Sequence, residues 1–456
     1  MKPFSQLTLG AAAAAALLYA AGCKPAGSVP AAGAGSGASL SAAERTWVAP
    51  GKLDDYYVFY SGGHSGQVFV SAIPSMRHIT TIPVFAPYPG DGYGFDDESR
   101  KMLGQYTWGD VHHPNLSKTN GDYDGRWLFV NDNANNRIAR IDLRDFRTHQ
   151  ILGPIPNSMG NHGSSFVTAN TEYILCATRF SVPLPKGRYA DPKDYAKEFN
   201  GMVSGIQVDP KTGEMSVGWQ ILTPPFDWDL GATGRGPSDG WAFWTSYNSE
   251  MAHTDLEANA SQLDRDYGAV VNWRAAAQAV KDGKATLMDG VPVLDPAKVP
   301  GIMYFLPIPK SPHGIDPDPS GRWIAASGKL QPVVSVFDFL KIKDAIAKKD
   351  FSGEFRGVPI IKYEDVLEGE VPVGLGPLHT QFDERGNAYT SLYIESAIAK
   401  WKLPPWTPEQ KADLNKAVVD KIPVHYNIGH LVVAGGDAVH PYGKWMIAMN
   451  KMSKGR

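Results

Sequence analysis

One short plan recurs along the chain and limits what it can fold into: a polar turn, an apolar run, a second turn and another apolar run. Asp124-Gly125-Arg126-Trp127 leads into Leu128-Phe129-Val130, then Asn133 to Asn136, then Arg137 to Asp142. Asp318-Pro319-Ser320-Gly321-Arg322-Trp323 leads into Ile324-Ala325-Ala326 and later Val333 to Asp338. Asp383-Glu384-Arg385-Gly386-Asn387 leads into Ala388 to Leu392, then Ala397 to Trp401, and Gly443-Lys444-Trp445 opens a further unit. Turn residues alternating with short β-prone runs predict hairpins, and repeated hairpins predict an all-β propeller with irregular insertions between blades. An irregular β-sandwich is the alternative. The 47 glycines, 35 prolines and 11% aromatics fit a turn-rich chain. Three stretches have helical spacing and are expected as surface insertions: 272–282, 341–349 and 404–421, the last opening on Thr407-Pro408-Glu409-Gln410.

The first 45 residues carry a different signal. Lys2 precedes an apolar run from Leu7 to Leu18, too short to span a bilayer. Ala20-Ala21-Gly22-Cys23 follows, which is either a lipoprotein processing site with Cys23 lipidated or the site of plain signal cleavage. Either way residues 1–22 are expected to be a signal peptide and the chain to be exported to the periplasm, tethered to a membrane if Cys23 is lipidated. Residues 23–45, rich in Ala, Gly, Ser and Pro, are expected to be a flexible linker, and 46–456 the propeller. Net charge is -3, which implies no general affinity for nucleic acid or acidic lipid. Without Cys23, Cys176 stands alone in Tyr173-Ile174-Leu175-Cys176-Ala177 and is expected to be a buried strand residue.

Chemistry is concentrated in six histidines in five turn-like contexts. These are Asp110-Val111-His112-His113-Pro114, Gly160-Asn161-His162-Gly163, Ser311-Pro312-His313-Gly314, Gly376-Pro377-Leu378-His379-Thr380 and Asn427-Ile428-Gly429-His430. A lone loop histidine is ordinarily structural or solvated. Six in related contexts, two of them just ahead of the hairpin signals, suggest loops converging on one channel and a metal site. His112 and His113 can serve one site only if the backbone bends, since neighbours in a strand face opposite ways. Asp110, Asp316 and Asp383 are candidates to orient the imidazoles. Six histidines exceed one tetrahedral zinc site, and ligation by imidazole alone favours copper while leaving zinc or iron open. His64, His78, His149, His253, His425 and His440 carry no such context.

These motifs, in this order, together with Asn427-Ile428-Gly429-His430-Leu431 and Asn450-Lys451-Met452-Ser453-Lys454, resemble the N-terminal propeller of nitrous oxide reductase over residues 46 to 456. Export without a twin-arginine pair is similar to the family's general-secretion branch. The resemblance implies a seven-bladed propeller, or one incomplete at the C-terminus. It implies a four-copper sulfide cluster, CuZ, with His112, His113, His162, His313, His379 and His430 as six of its ligands. It implies that Lys400 and Asp110 lie beside the cluster, Lys400 as a donor to bound substrate. It also implies calcium at Tyr247, Glu250 and Asp264, a head-to-tail homodimer, and an electron donor such as a c-type cytochrome.

The chain departs from that pattern at its end. The family's seventh cluster histidine and its cupredoxin domain, with the CuA centre, fall beyond the last residue here, and Cys23 and Cys176 are the only cysteines. A fragment or truncated reading frame lacking its electron-entry domain is therefore expected. The expected activity is copper-dependent reduction of nitrous oxide to dinitrogen and water. Two rivals differ in class: a non-catalytic exported propeller that scaffolds a partner, and a propeller hydrolase holding one calcium or zinc ion.

Overall fold

The computed structural model describes residues 40–249, 266–450 and 453, with the side chains of 247–249 left out. Residues 1–39, and with them Cys23 and the expected signal segment, lie outside the described residues. The short unit that ends at Trp47 contains one helix, Ala42–Thr46. A capping box starts it: Glu44 N donates to Ser41 Oγ at 3.3 Å and Ser41 N to Glu44 Oε2 at 2.8 Å.

From Val48 onward the molecule is an all-β propeller with few helices. Among the described residues the strands form seven sheets, five of which contain a four-stranded antiparallel meander. The others are the three-stranded sheet of Tyr56–Ser61, Gln67–Ile73 and His78–Pro83 and the two-stranded sheet of Ile428–Val433 and Met446–Asn450. The arrangement follows from where apolar area is buried. Five separate cores lie at the junctions of the first six sheets, one per junction. Val70, Ile82, Leu128 and Ile141 join the first sheet to the second; Trp323, Val336, Phe382 and Trp401 join the fifth to the sixth. The second to fifth sheets are apolar on both faces because each packs against two neighbours through these cores, so their strands read as short continuous runs rather than strict alternations.

The repeated turn also has a local cause. Asp318 Oδ1 accepts from Trp323 N at 2.9 Å and from Ser320 Oγ at 2.9 Å, closing the turn on itself. Gly321 adopts φ +71°, and a Cβ there would meet the carbonyl oxygen of Arg235. Arg322 then stacks on Trp323 at 4.4 Å and pairs with Asp338 at 2.7 Å, and Arg126 stacks on Trp127 at 4.2 Å.

Two of the expected helices form, Trp273–Lys281 and Phe339–Lys348, each burying three side chains. The third is much shorter than 404–421. A capping box from Thr407 and Gln410 starts a helix over Pro408–Ala412, but Val418–Pro423 is a strand. There β-branched Val418, Val419 and Ile422 complete the fourth strand of a sheet, and pairing overrides helical spacing. Cys176 is buried and free, its thiol pushed up to about 12 by burial.

Candidate metal centre

In six successive sheets the first strands lie side by side, each in contact with the first strand of the adjacent sheet. Five of these six strands begin at, or just after, the histidine motifs; the sixth is Phe226–Thr233. His112 and His113 precede Asn115–Thr119, and His162 precedes Gly163–Val167. His313 lies in Pro312–Pro317, His379 in Pro377–Phe382 and His430 in Ile428–Val433.

The six rings form one continuous group. Ring centroids are 4.5 Å apart for His112 and His162, 4.6 Å for His112 and His113, and 5.4 Å for His113 and His430. The group continues through His379, 4.2 Å from His430, to His313, 4.7 Å from His379. Facing Nε2 atoms are 3.1 Å apart in two pairs, His112 with His162 and His313 with His379. The ligand atoms of His112, His113 and His162 all lie within 4.8 Å of one another, close enough for one ion.

A tight loop makes the bend at His112-His113 possible. His112 N donates to Asn131 O at 3.2 Å and His113 N to Asn131 Oδ1 at 2.7 Å, while the Asn131 amide donates to Asn161 O. One asparagine thus ties two histidine loops together. Beneath it Asp132 Oδ1 accepts from Asp110 N at 2.9 Å, and Arg137 Nε donates to Asp132 Oδ2 at 2.7 Å. Arg137 Nη1 reaches Leu103 O and Tyr106 O at 3.0 and 3.2 Å, fastening the segment that leads into the motif.

The imidazoles are oriented from behind, and the sequence reading missed the main device, Asp229. This carboxylate, 1% exposed in the strand Phe226–Thr233, lies 2.9 Å from His162 Nδ1 and 2.5 Å from His313 Nδ1. Burial opposes its charge, but His313 and His162 hold it well below the usual carboxylate range. With Nδ1–H directed at Asp229, both rings turn Nε2 toward the other histidines. His113 does the same through His162 O, 2.8 Å from its Nδ1, and its Nε2 is buried without a hydrogen-bond partner. Burial, and then the neighbouring imidazoles, hold His113 well below the usual histidine value, so its ring is neutral and its lone pair available. Asp229 has a signal in the sequence. The gap from His162 to His313 is between two and about three times the other motif spacings, and Asp229 falls near its middle, on the one first strand in the run that lacks a histidine.

The other candidates are placed as follows. Asp110 lies 3.9 Å from both His112 Nδ1 and His64 Nε2. Asp316 Oδ2 accepts from Thr380 N at 3.1 Å, and burial pushes its carboxyl up to about 7. Asp383 instead closes its own turn, accepting from Arg385 N, Asn387 N and the Tyr389 hydroxyl. Lys400 is not brought to the histidines. It sits on the third strand of its sheet, Ala397–Lys402, with Nζ 5.7 Å from the centre of the Tyr389 ring. Glu250 and Asp264 lie outside the described residues, and Tyr247 is described only as backbone of the strand Trp241–Ser249. His440 is elsewhere, paired with Asp122 at 2.7 Å.

A cavity of about 1270 Å3 reaches His112, His113, His379 and His430. Further along its wall are Lys118, Arg235 and Asp437, a buried charged group that sequence reading also missed. Lys118 Nζ is 3.0 Å from Asp437 Oδ2, the Tyr123 hydroxyl donates to the same carboxylate, and Arg235 Nη1 donates to Ala438 O at 3.0 Å.

Known proteins resemble the chain at several levels. A profile of the nitrous oxide reductase propeller repeat matches residues 421–456. The nitrous-oxide reductase of Stutzerimonas stutzeri is 37% identical over 424 residues, covering 91% of this chain and 63% of the relative. That of Pseudomonas fluorescens is 35% identical, covering 92% and 64%. That of Ralstonia nicotianae is 34% identical, covering 98% and 70%. The chain thus spans a little under two thirds of the first two relatives' length. Hydrazine synthase of Kuenenia stuttgartiensis shares the fold at a TM-score of 0.51 and 14% identity, over 76% of this chain and 80% of that one.

Proposed function

Because the chain belongs to the nitrous-oxide reductase family, we propose that its six converging histidines hold copper and that the loaded centre takes part in reducing nitrous oxide. The reaction consumes two electrons and two protons per nitrous oxide and yields dinitrogen and water. The observation that carries this reading is the donor set. Six imidazoles converge with no thiolate among them, the Nδ1 atoms of three turn toward oxygen acceptors, and the buried Nε2 of His113 is left unpartnered. A buried unpaired polar atom costs about 1–3 kcal/mol, which a purely structural histidine would avoid. That disfavours the scaffold reading, and a ligand set larger than one four-coordinate ion needs disfavours a single-metal hydrolase.

Copper bound here would supply the redox and Lewis-acid chemistry that breaks the N–O bond. The chain's own residues aim and buffer the ligands: Asp229 fixes His162 and His313, His162 O fixes His113, and Asp110 stands behind His112. We further propose a sulfide-bridged four-copper cluster in a seven-bladed ring, the three-stranded and two-stranded sheets being two of the blades. Periplasmic location, lipidation of Cys23, calcium at Tyr247, Glu250 and Asp264, a head-to-tail dimer and a c-type cytochrome donor belong to the same proposal.

Reconstitution with copper and sulfide tests it. Several coppers per chain and a visible absorption band are expected; a colourless protein retaining one metal or none would reject the copper reading. Asp229→Asn should weaken copper binding by about 10–100-fold in competition with a chelator, because the amide cannot accept from both Nδ1–H groups. Unchanged affinity would remove Asp229 from the ligand-orienting role.

A further inference from the structure

One buried cation in the cavity has no charge partner among the described residues. Arg235 follows the strand Phe226–Thr233 by two residues, is 5% exposed and lines the cavity wall. A guanidinium carries five N–H groups, and here one acceptor meets them: Ala438 O, 3.0 Å from Nη1. Nε and Nη2 have no hydrogen-bond partner among the described residues. A cation taken out of water is ordinarily paired, because nothing else offsets its lost hydration.

The carboxylates that attract Arg235 are engaged elsewhere. Asp437 takes Lys118 Nζ at 3.0 Å and the Tyr123 hydroxyl. Asp318 spends both oxygens on its own turn, accepting from Trp323 N, Ser320 Oγ and Ser320 N. Asp316 accepts from Thr380 N, and with burial pushing its carboxyl up to about 7 it is only partly ionised near neutral pH. The backbone beneath Arg235 is fixed. Its N–H donates to Ser238 Oγ at 3.1 Å, and that hydroxyl donates to Arg235 O at 2.9 Å. Gly321, in a turn of the next sheet, lies so close to the same carbonyl that a Cβ would collide with it.

Nε and Nη2 share one edge of the guanidinium plane, and two parallel N–H groups on an edge match the two oxygens of a planar oxyanion. Lys118 lines the same wall, and its charge and that of Arg235 disfavour each other. An anion beside both relieves that repulsion. We infer that Arg235, with Lys118 near it, holds a small monovalent oxyanion of the carboxylate type in the cavity. Six residues separate Arg235 from Asp229, up to about 20 Å of extended chain, which places the anion away from the imidazoles. The inference does not depend on copper, so its test uses the full chain free of metal.

Equilibrium dialysis of labelled formate at constant ionic strength reads the site. Saturable binding of one formate per chain is expected, in the millimolar range for so small a ligand. Arg235→Lys keeps the charge and loses the two-pronged edge, so it should weaken formate binding at least tenfold. Should that variant fail to fold by circular dichroism, Lys118→Gln replaces it, with weakening again expected. His113→Ala should bind formate as the parent does, which separates this site from the histidines. Chloride, with no second oxygen for the fork, should displace formate only at concentrations at least tenfold higher. Absence of a saturable site, unchanged affinity in the Arg235 or Lys118 variant, loss of binding in His113→Ala, or displacement by chloride at equal concentration would each overturn the inference.

Discussion

A chain carrying His113→Ala is expected to keep its fold and lose its copper. The ring supplies the buried Nε2 that has no hydrogen-bond partner, and its centroid lies within 5.4 Å of three other cluster histidines. Removing it breaks the ring sequence between His112 and His430. Loss of an orienting group alone costs about 10–100-fold in metal affinity, so loss of a ligand should exceed about 100-fold. The metal-free protein should respond differently, because the change also removes an unpaired buried nitrogen, and its unfolding midpoint should move little. Metal analysis after gel filtration, with His149→Ala as a surface control, gives the comparison. Full copper retention in the His113 variant would reject the assignment of this site.

The largest effect on stability is expected from Arg137→Ala. Arg137 is 1% exposed, forms a 2.7 Å pair with fully buried Asp132, and stands over the rings of Phe85 and Tyr106 at 5.0 and 5.3 Å. Removing it leaves the Asp132 carboxylate buried and uncompensated, at a cost of about 3–5 kcal/mol. It also releases Leu103 O and Tyr106 O from the segment that delivers His112 and His113. Urea unfolding of the metal-free protein reads the first effect and copper affinity the second. An unfolding free energy within about 1 kcal/mol of the parent would mean that the pair does not hold this loop.

The sequence was most legible where local chemistry and global position agree. Asp318 to Trp323 encodes its turn by side-chain acceptors a few residues away, and the six histidines mark the starts of first strands because glycine and proline flank them. Pairing between distant strands was not legible in the same way. Val418 to Pro423 reads as the tail of a helix until Ala397–Lys402 lies beside it. Asp229 hides among the acidic and aromatic residues of a buried strand, and only the long gap between His162 and His313 marks it. Lys118, Arg235 and Asp437 are far apart in the chain and meet only when the ring forms, so no spacing announces them.

The six histidines belong to five separate sheets, and Asp229 adds a sixth. None of these sheets can build the site alone. A metal centre that gathers ligands from His112 to His430 closes a loop through most of the chain, a class of contact that forms late because its entropy must be met before any bond rewards it. Insertion of metal then reports on assembly: a ring that has opened at any one junction offers only part of the ligand set. For the copper centre proposed above, occupancy would become a readout of whether the propeller has come round on itself, and bound metal would in turn hold the first and last of those sheets against drifting apart.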